Sequence, residues 1–285
     1  MSAYLDNSIN AENYQKNRIT YPKSLYETIL QHHLGERKLA VDVGCGTGIG
    51  TFPLLDYFEK VIGCDPSEKM LQTAKMTADT IPESSKRNVQ FKETGGETLG
   101  KYFKEDSVDL VIAGESLQYT KFEQFFEQAH KILKPNGTLA YWFYCDPIFI
   151  DYPKANEIFK YLIYEDERFF KALWPPEMDY VRHLGSTIEI PKNSFTDMYS
   201  EKYVPLKSEK AGRFLISRDD FTLKDLRNNM STWSVYQRWL DNEKDSKKDI
   251  IDVIIGKIKN ECDLTESTSL RVQWETAFYI AHNRA

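Results

Sequence analysis

Two acids and a run of glycines are the residues whose types and spacing are best suited to chemistry. The run is Val41-Asp-Val-Gly-Cys-Gly-Thr-Gly-Ile-Gly50, with an acid at Asp42 and glycines at Gly44, Gly46 and Gly48; the second acid is Asp65, at the end of the next β-rich stretch. A strand that turns sharply into the following segment while a ligand lies against its backbone needs residues without a Cβ. An acid roughly 20 residues beyond such a loop is placed to accept hydrogen bonds from a ribose diol. Dinucleotide sites use G-x-G-x-x-G, whose helix N-terminus faces a pyrophosphate. The register here is D-x-G-x-G-x-G, and an acid before the loop suits a cation. That favours S-adenosylmethionine (SAM), whose methionine end carries an ammonium group, over NAD.

The elements that must hold these residues alternate. Leu39–Val43, Lys60–Cys64, Val89–Lys92, Val108–Ala113 and Thr138–Tyr144 read as strands. Between them, Thr47–Tyr57, Ser67–Ala78 and Phe122–Leu133 read as helices. The last carries Phe122, Phe125, Phe126, Ala129, Ile132 and Leu133 at helical spacing, and Pro135-Asn-Gly137 makes a turn after it. Strands alternating with helices imply a parallel, doubly wound sheet. After Cys145 the rhythm breaks into an aromatic-rich, patchily helical stretch. Phe195–Val204 reads as a sixth strand, Thr222–Leu240 and Lys248–Cys262 as helices, and Leu270–Ala281 as a long closing strand. The expected architecture is a Rossmann-like α/β fold: a seven-stranded, mostly parallel sheet with a helical cap formed by insertions after strand five and before the last strand. The expected division is 1–145 for the N-terminal segment and core, 146–194 for the first cap insertion, 195–204 for a core strand, 205–267 for the second insertion and 268–285 for the closing strand.

Composition narrows the function classes. The 285 residues are 41% hydrophobic and 28% charged, a balance that supports a globular core. The net charge of −6 argues against nucleic acid, because phosphate contacts need a basic footprint. The nearest basic cluster, Lys244-Asp-Ser-Lys-Lys-Asp249, alternates in sign and reads as a solvated turn. Cys45, Cys64, Cys145 and Cys262 form no C-x-x-C pair, so no metal site is expected and reduced thiols in a cytoplasmic protein are. Met1–Thr20 lacks the apolar stretch of a secretory signal, and no apolar run is long enough to span a bilayer.

The glycine loop, Asp65, Val108-Asp-Leu-Val-Ile-Ala113 and Leu133-Lys-Pro-Asn-Gly-Thr-Leu139 together resemble the class I SAM-dependent methyltransferases. Tyr14–Pro22, the stretch from Tyr144 to Pro153, Thr232-Trp-Ser-Val-Tyr-Gln-Arg-Trp239 and Val272-Gln-Trp-Glu-Thr-Ala-Phe-Tyr279 are similar to the fungal trans-aconitate methyltransferases and the fungal cantharidin-detoxifying methyltransferase. The resemblance covers almost the whole chain. It implies that Gly44, Gly46 and Gly48 line the methionine half of SAM, with Asp42 and Glu115 also facing the cofactor. It implies that Asp65 holds the ribose hydroxyls and that Met70 packs near adenine. Many relatives bind the adenine amino group with an acid after strand three; here that position holds Gly95, leaving Gly96 and Glu97 for the task. Gln118-Tyr119, where relatives often carry His-Trp, should face the methyl group and substrate.

The resemblance also implies an acidic small-molecule substrate in an aromatic pocket. Tyr14, Tyr21, Gln118, Tyr119, Trp142, Tyr144 and Trp233 are the candidates to line it, Tyr119 and Tyr144 as positioning groups. Arg18, Arg182, Arg213 and Arg218 could each clamp a carboxylate, and Arg18 and Arg218 are the first two expected to do so. A carboxylate is already ionised at neutral pH, so its methylation to an ester, with S-adenosylhomocysteine as co-product, needs no general base. A hydroxyl, amine or carbon acceptor would want one, with Tyr119 or Glu115 available. A SAM-binding regulator without turnover is the alternative from another class.

Overall fold

The computed structural model describes residues 10–83, 88–242 and 248–284. Most of the 244–249 turn, and the first nine residues of the N-terminal segment, lie outside the described residues. Eight strands form one sheet, in the order β3-β2-β1-β4-β5-β8-β6 with β7 alongside β8. They are β1 (Leu39–Val43), β2 (Lys60–Asp65), β3 (Val89–Glu93), β4 (Val108–Gly114), β5 (Leu133–Phe149), β6 (Phe195–Tyr203), β7 (Ser217–Phe221) and β8 (Leu270–Asn283). The first five pair in parallel. The last three add antiparallel pairings through β8. The seven anticipated strands are joined by the short β7, whose sequence Ser-Arg-Asp-Asp-Phe buries only Phe221 and so carries no alternating pattern. β5 runs on past Cys145 to Phe149, pairing with β8 beyond a register shift between Tyr144 and Pro147.

The α-helices among the described residues include α1 (Ala11–Asn17), α2 (Lys23–His32), α3 (Glu68–Ala78), α4 (Phe122–Ile132), α5 (Pro153–Lys160), α6 (Met178–Arg182), α7 (Leu223–Met230), α8 (Ser234–Asn242) and α9 (Ile250–Glu261). The Ser67 hydroxyl caps α3 by accepting from the Met70 N–H. On α4, Phe125, Phe126, Ala129 and Ile132 are buried against the sheet. The Pro135–Gly137 turn is absorbed into β5 as a bulge, with Asn136 at φ 62°. Among the described residues no helix is long and apolar enough to cross a membrane.

Two expected helices take another form. The stretch 47–57 holds no α-helix: the loop steps through i→i+3 bonds, Gly48 to Cys45 and Thr51 to Gly48, and ends in a 3-10 turn over Phe52–Asp56. Gly48 at φ +90° interrupts any helix there, and Pro53 supplies no N–H. The single helix expected over 222–240 is broken between α7 and α8. The Ser231 and Thr232 hydroxyls donate to the Asn228 and Asn229 carbonyls at 2.6 and 2.7 Å, competing with the helical ladder.

Candidate active site

The strand order reverses between β1 and β4, and a cleft opens at the carboxyl ends of β1, β2 and β4, where doubly wound sheets bind ligands. It encloses about 990 Å³ of non-protein space, part of it open to solvent. Three loop glycines take left-handed backbone: Gly44 at φ +69°, Gly46 at +53° and Gly48 at +90°. Their surroundings separate their roles. A Cβ on Gly44 would lie 2.3 Å from Ser116 Cβ, and one on Gly48 2.5 Å from the Phe52 ring. One on Gly46 would meet no protein atom within 4 Å. Gly44 and Gly48 therefore serve the packing of the protein on itself, and Gly48 is absent from the cleft wall. Gly46 borders open space in the cleft.

Asp65 closes β2 and organises this loop. Its Oδ2 accepts from the Gly46 N–H and its Oδ1 from the Ser67 N–H, each at 2.8 Å. Burial raises its pKa, and those two bonds act in the opposite direction. Asp42 accepts from the Thr51 hydroxyl at 2.7 Å; burial pushes its carboxyl up to about 7. Met70 lines the cleft wall and packs with Ala11 and Tyr14. Gly96 and Glu97 line it too, and the Glu97 Oε1 accepts from the Lys121 N–H at 2.9 Å.

A second cavity, with about 600 Å³ of non-protein space, part of it open to solvent, adjoins the first. Glu115 and Tyr119 line both. Glu115 follows β4 in left-handed backbone (φ 54°), a conformation rare outside glycine, and accepts from the Tyr144 N–H. Burial pushes its carboxyl up to about 7, against the Arg18 charge that lowers it. Arg18, Tyr144 and Trp233 line the second cavity as expected candidates. The Arg18 guanidinium lies 5.3 and 5.4 Å from the Tyr14 and Tyr144 ring centres, and its Nη1 donates to the Thr232 hydroxyl at 3.4 Å.

Other candidates sit elsewhere. Tyr14 and Tyr21 line the first cleft, because α1 and the turn after it cross its mouth. Trp142 is fully buried in the core, edge-on to Tyr21 at 5.1 Å, and pressed against Gly114. Gln118 is buried with its amide donating to the Glu115 carbonyl at 3.0 Å, and lines neither cavity. Arg218 projects from β7, half-exposed, paired with Asp220 at 2.8 Å; it borders a separate groove. Arg213 is likewise drawn to Glu201. Conversely, the second cavity gathers Asp146, Tyr164, Trp174, Met178, Arg182 and Asn229. Of these only Arg182 is singled out by residue type; Asp146 falls in the Tyr144–Pro153 stretch that carries the resemblance, and the others are not singled out in the sequence.

Strand order, switch-point cleft and glycine loop define a Rossmann-like nucleotide-binding α/β protein. A methyltransferase domain model matches residues 41–141. Over 293 aligned positions the chain is 30% identical to the Saccharomyces cerevisiae protein named "Probable S-adenosylmethionine-dependent methyltransferase CRG1", covering 99% of each. Among solved structures, a chain from Anaeromyxobacter dehalogenans described as "a Putative Type II Methyltransferase" superposes with a TM-score of 0.69 at 19% identity, over 92% of this chain and 97% of that one. Phosphoethanolamine N-methyltransferase 2 of Haemonchus contortus, in complex with phosphomonomethylethanolamine and S-adenosylhomocysteine, superposes with a TM-score of 0.53 at 16% identity, over 99% of this chain and 59% of that one.

The chain belongs to the SAM-dependent methyltransferases, and its cofactor is SAM. The cleft fits that group on its own terms. The space beside Gly46 is one that a Cβ would fill, and the Thr47 hydroxyl beside it is buried with no hydrogen-bond partner among the described residues.

Proposed function

We propose that the protein methylates a carboxylate of a small acid, giving a methyl ester. The observation that carries this reading is the second cavity: it opens on the cofactor cleft at Glu115 and Tyr119, and brings Arg18 beside Tyr144 in an aromatic wall. Asp65 would hold the ribose hydroxyls, Met70 the adenine face, and the Gly44–Gly46 backbone with Asp42 the methionine end. When bound there, SAM supplies a methyl carbon made electrophilic by its sulfonium. The chain itself aligns the acceptor and excludes water, the terms that dominate when the nucleophile is already ionised. Tyr119, common to both cavities, is the wall that aligns the acceptor with the cofactor site. An acid leaving water for this pocket needs a compensating cation, and arginine offers a planar donor fork.

Radiolabelled SAM incubated with a panel of carboxylic acids and hydroxyl compounds of matched size tests this. Label that mild alkali releases as methanol marks an ester, the expected outcome. No labelled acid, with efficient labelling of a hydroxyl or amine, would sink the reading.

One observation favours a second reading, transfer to a hydroxyl. Glu115 is a half-buried carboxyl at the junction of the two cavities, with a pKa suited to a general base near neutrality. In that case the rate rises with pH through about 7 and Glu115→Gln removes it. Under carboxylate transfer no base is needed and the Gln variant keeps turnover. The four free cysteines fit the reducing cytoplasm, which fractionation of source cells would check.

A further inference from the structure

The second cavity holds two arginines, and they differ in what they already touch. Arg18 has the Thr232 hydroxyl at 3.4 Å and faces the Glu115 carboxyl. Arg182 closes α6 with its guanidinium 4.4 Å from the centre of the Tyr164 ring and 5.2 Å from that of Trp174. Its Nε is buried and has no hydrogen-bond partner among the described residues. Both rings are fixed: the Tyr164 hydroxyl donates to Asp146 at 2.8 Å, the Trp174 indole donates to the Ile163 carbonyl at 3.0 Å, and the rings stack on each other at 5.6 Å. Stacking occupies the face of a guanidinium and leaves its N–H edge available for a planar, anionic acceptor. One turn earlier on the same helix face, the Met178 sulfur accepts from the Tyr119 hydroxyl at 3.6 Å. Tyr119 lines both cavities, so α6 packs on the junction where an acceptor must meet the cofactor.

We propose that Arg182, held on the Tyr164–Trp174 platform, is the residue that binds the acidic group of the substrate. The assignment rests on the reading of this cavity as an acid site. It also explains an otherwise costly arrangement, since a buried guanidinium N–H without a partner is unfavourable until something accepts from it. Asp146 lies near enough to attract Arg182, but its Oδ1 accepts from Tyr164, leaving the Nε edge open.

The test uses the full chain and an acid that the wild type methylates, with Arg182→Gln, Arg182→Lys and Arg182→Ala. A hydrogen-bonded charge contact predicts a rise in KM of about 10- to 150-fold in Arg182→Gln. Turnover at saturation and S-adenosylhomocysteine affinity by calorimetry should stay within about threefold, less than one ordinary hydrogen bond. Lysine, which keeps the charge and loses the planar stack, should recover part of the KM. Free guanidinium added to Arg182→Ala should lower its KM, a rescue that a merely structural role would not give. Unchanged KM in the glutamine and lysine variants, or a rise in KM matched by an equal loss of S-adenosylhomocysteine affinity, overturns the assignment alone. A wild type inactive on every acid removes the acid reading, and this assignment with it, before any variant is made.

Discussion

In the cofactor cleft, ligand space is shaped by turns of fixed conformation, the one at 44–50, pinned through Gly46 by the Asp65 carboxylate, and the Gly95–Gly96 turn after β3, with Tyr14, Tyr21 and Met70 closing the wall. In the second cavity it is bounded by residues 18, 115, 119, 144–146, 164, 174, 178, 181, 182, 229, 233 and 234. The first kind of site ties function to local conformation, so a change there acts on geometry before it acts on chemistry. The second kind depends on the cap and α1 packing correctly. The same sheet can thus keep its cofactor while the cap changes the acceptor.

The change expected to test this contrast hardest is Gly46→Val. The backbone there is left-handed at φ +53°, where an L-residue costs about 1–2 kcal/mol, and the added side chain enters the ligand's space. SAM affinity should fall by more than about 1,000-fold, or roughly 4 kcal/mol. Calorimetry showing normal SAM binding in a folded variant would mean the cleft is not the cofactor site.

Next comes the titration of Asp42. Burial raises its pKa from 3.8 to about 7. The folded state therefore holds a proton that the unfolded state has lost between about pH 4 and 7, so stability falls as pH rises through that window, by roughly 2–4 kcal/mol. Asp42→Asn should flatten that slope and raise the melting temperature of the ligand-free protein at pH 8, while weakening SAM binding if Asp42 meets its ammonium. An unaltered pH profile would show that Asp42 ionises without cost.

Smaller again is Asp65→Ala. Losing charged hydrogen bonds to the ribose should weaken SAM binding by about 1.5–3 kcal/mol. The structure adds that stability must fall too, because Gly46 and Ser67 lose their acceptor. Retained affinity in a folded variant would assign the ribose to another group.

What could be read from sequence follows the same division. Asp42, Gly44, Gly46 and Asp65 are legible because a turn at a strand end restricts residue type at fixed spacing, and so are the strand ends that hold them. Gly48 is read as a ligand contact because it continues the run begun at Gly44 and Gly46; all three take positive φ, and only the Phe52 ring filling its Cβ space separates Gly48 from Gly46. The helix expected at 47–57 fails on backbone detail: the loop closes by i→i+3 steps around Gly48 and Pro53. Trp142 shares a face of β5 with Tyr144 two residues on, but it lies further from the strand end, where its indole packs under Gly114 and against Tyr21 instead of reaching the cavity. No local pattern announces that Tyr164, Trp174 and Arg182 meet, because their contact is made by the fold of the cap.

The smallest effect expected is the one that most directly checks the placement of charge in the second cavity. Arg218 has the residue type for a carboxylate clamp and lies on β7, beside the segment that carries Arg18. Its guanidinium, however, is turned to Asp220 at 2.8 Å, with Arg218 half-exposed and Asp220 largely exposed. Exposed pairs of this kind contribute about 0–1 kcal/mol, screened further by salt. Arg218→Gln should therefore leave KM for an acid within about twofold and stability within about 1 kcal/mol. Arg218 and Arg182 carry the same charge, so a general attraction of the protein surface for anions would respond to either. A directed hydrogen bond inside the cavity responds only to Arg182. A KM that rises equally in Arg218→Gln and Arg182→Gln would show that the acid is gathered by overall potential, and the contrast between a cleft set by loop conformation and a pocket set by specific side chains would be lost.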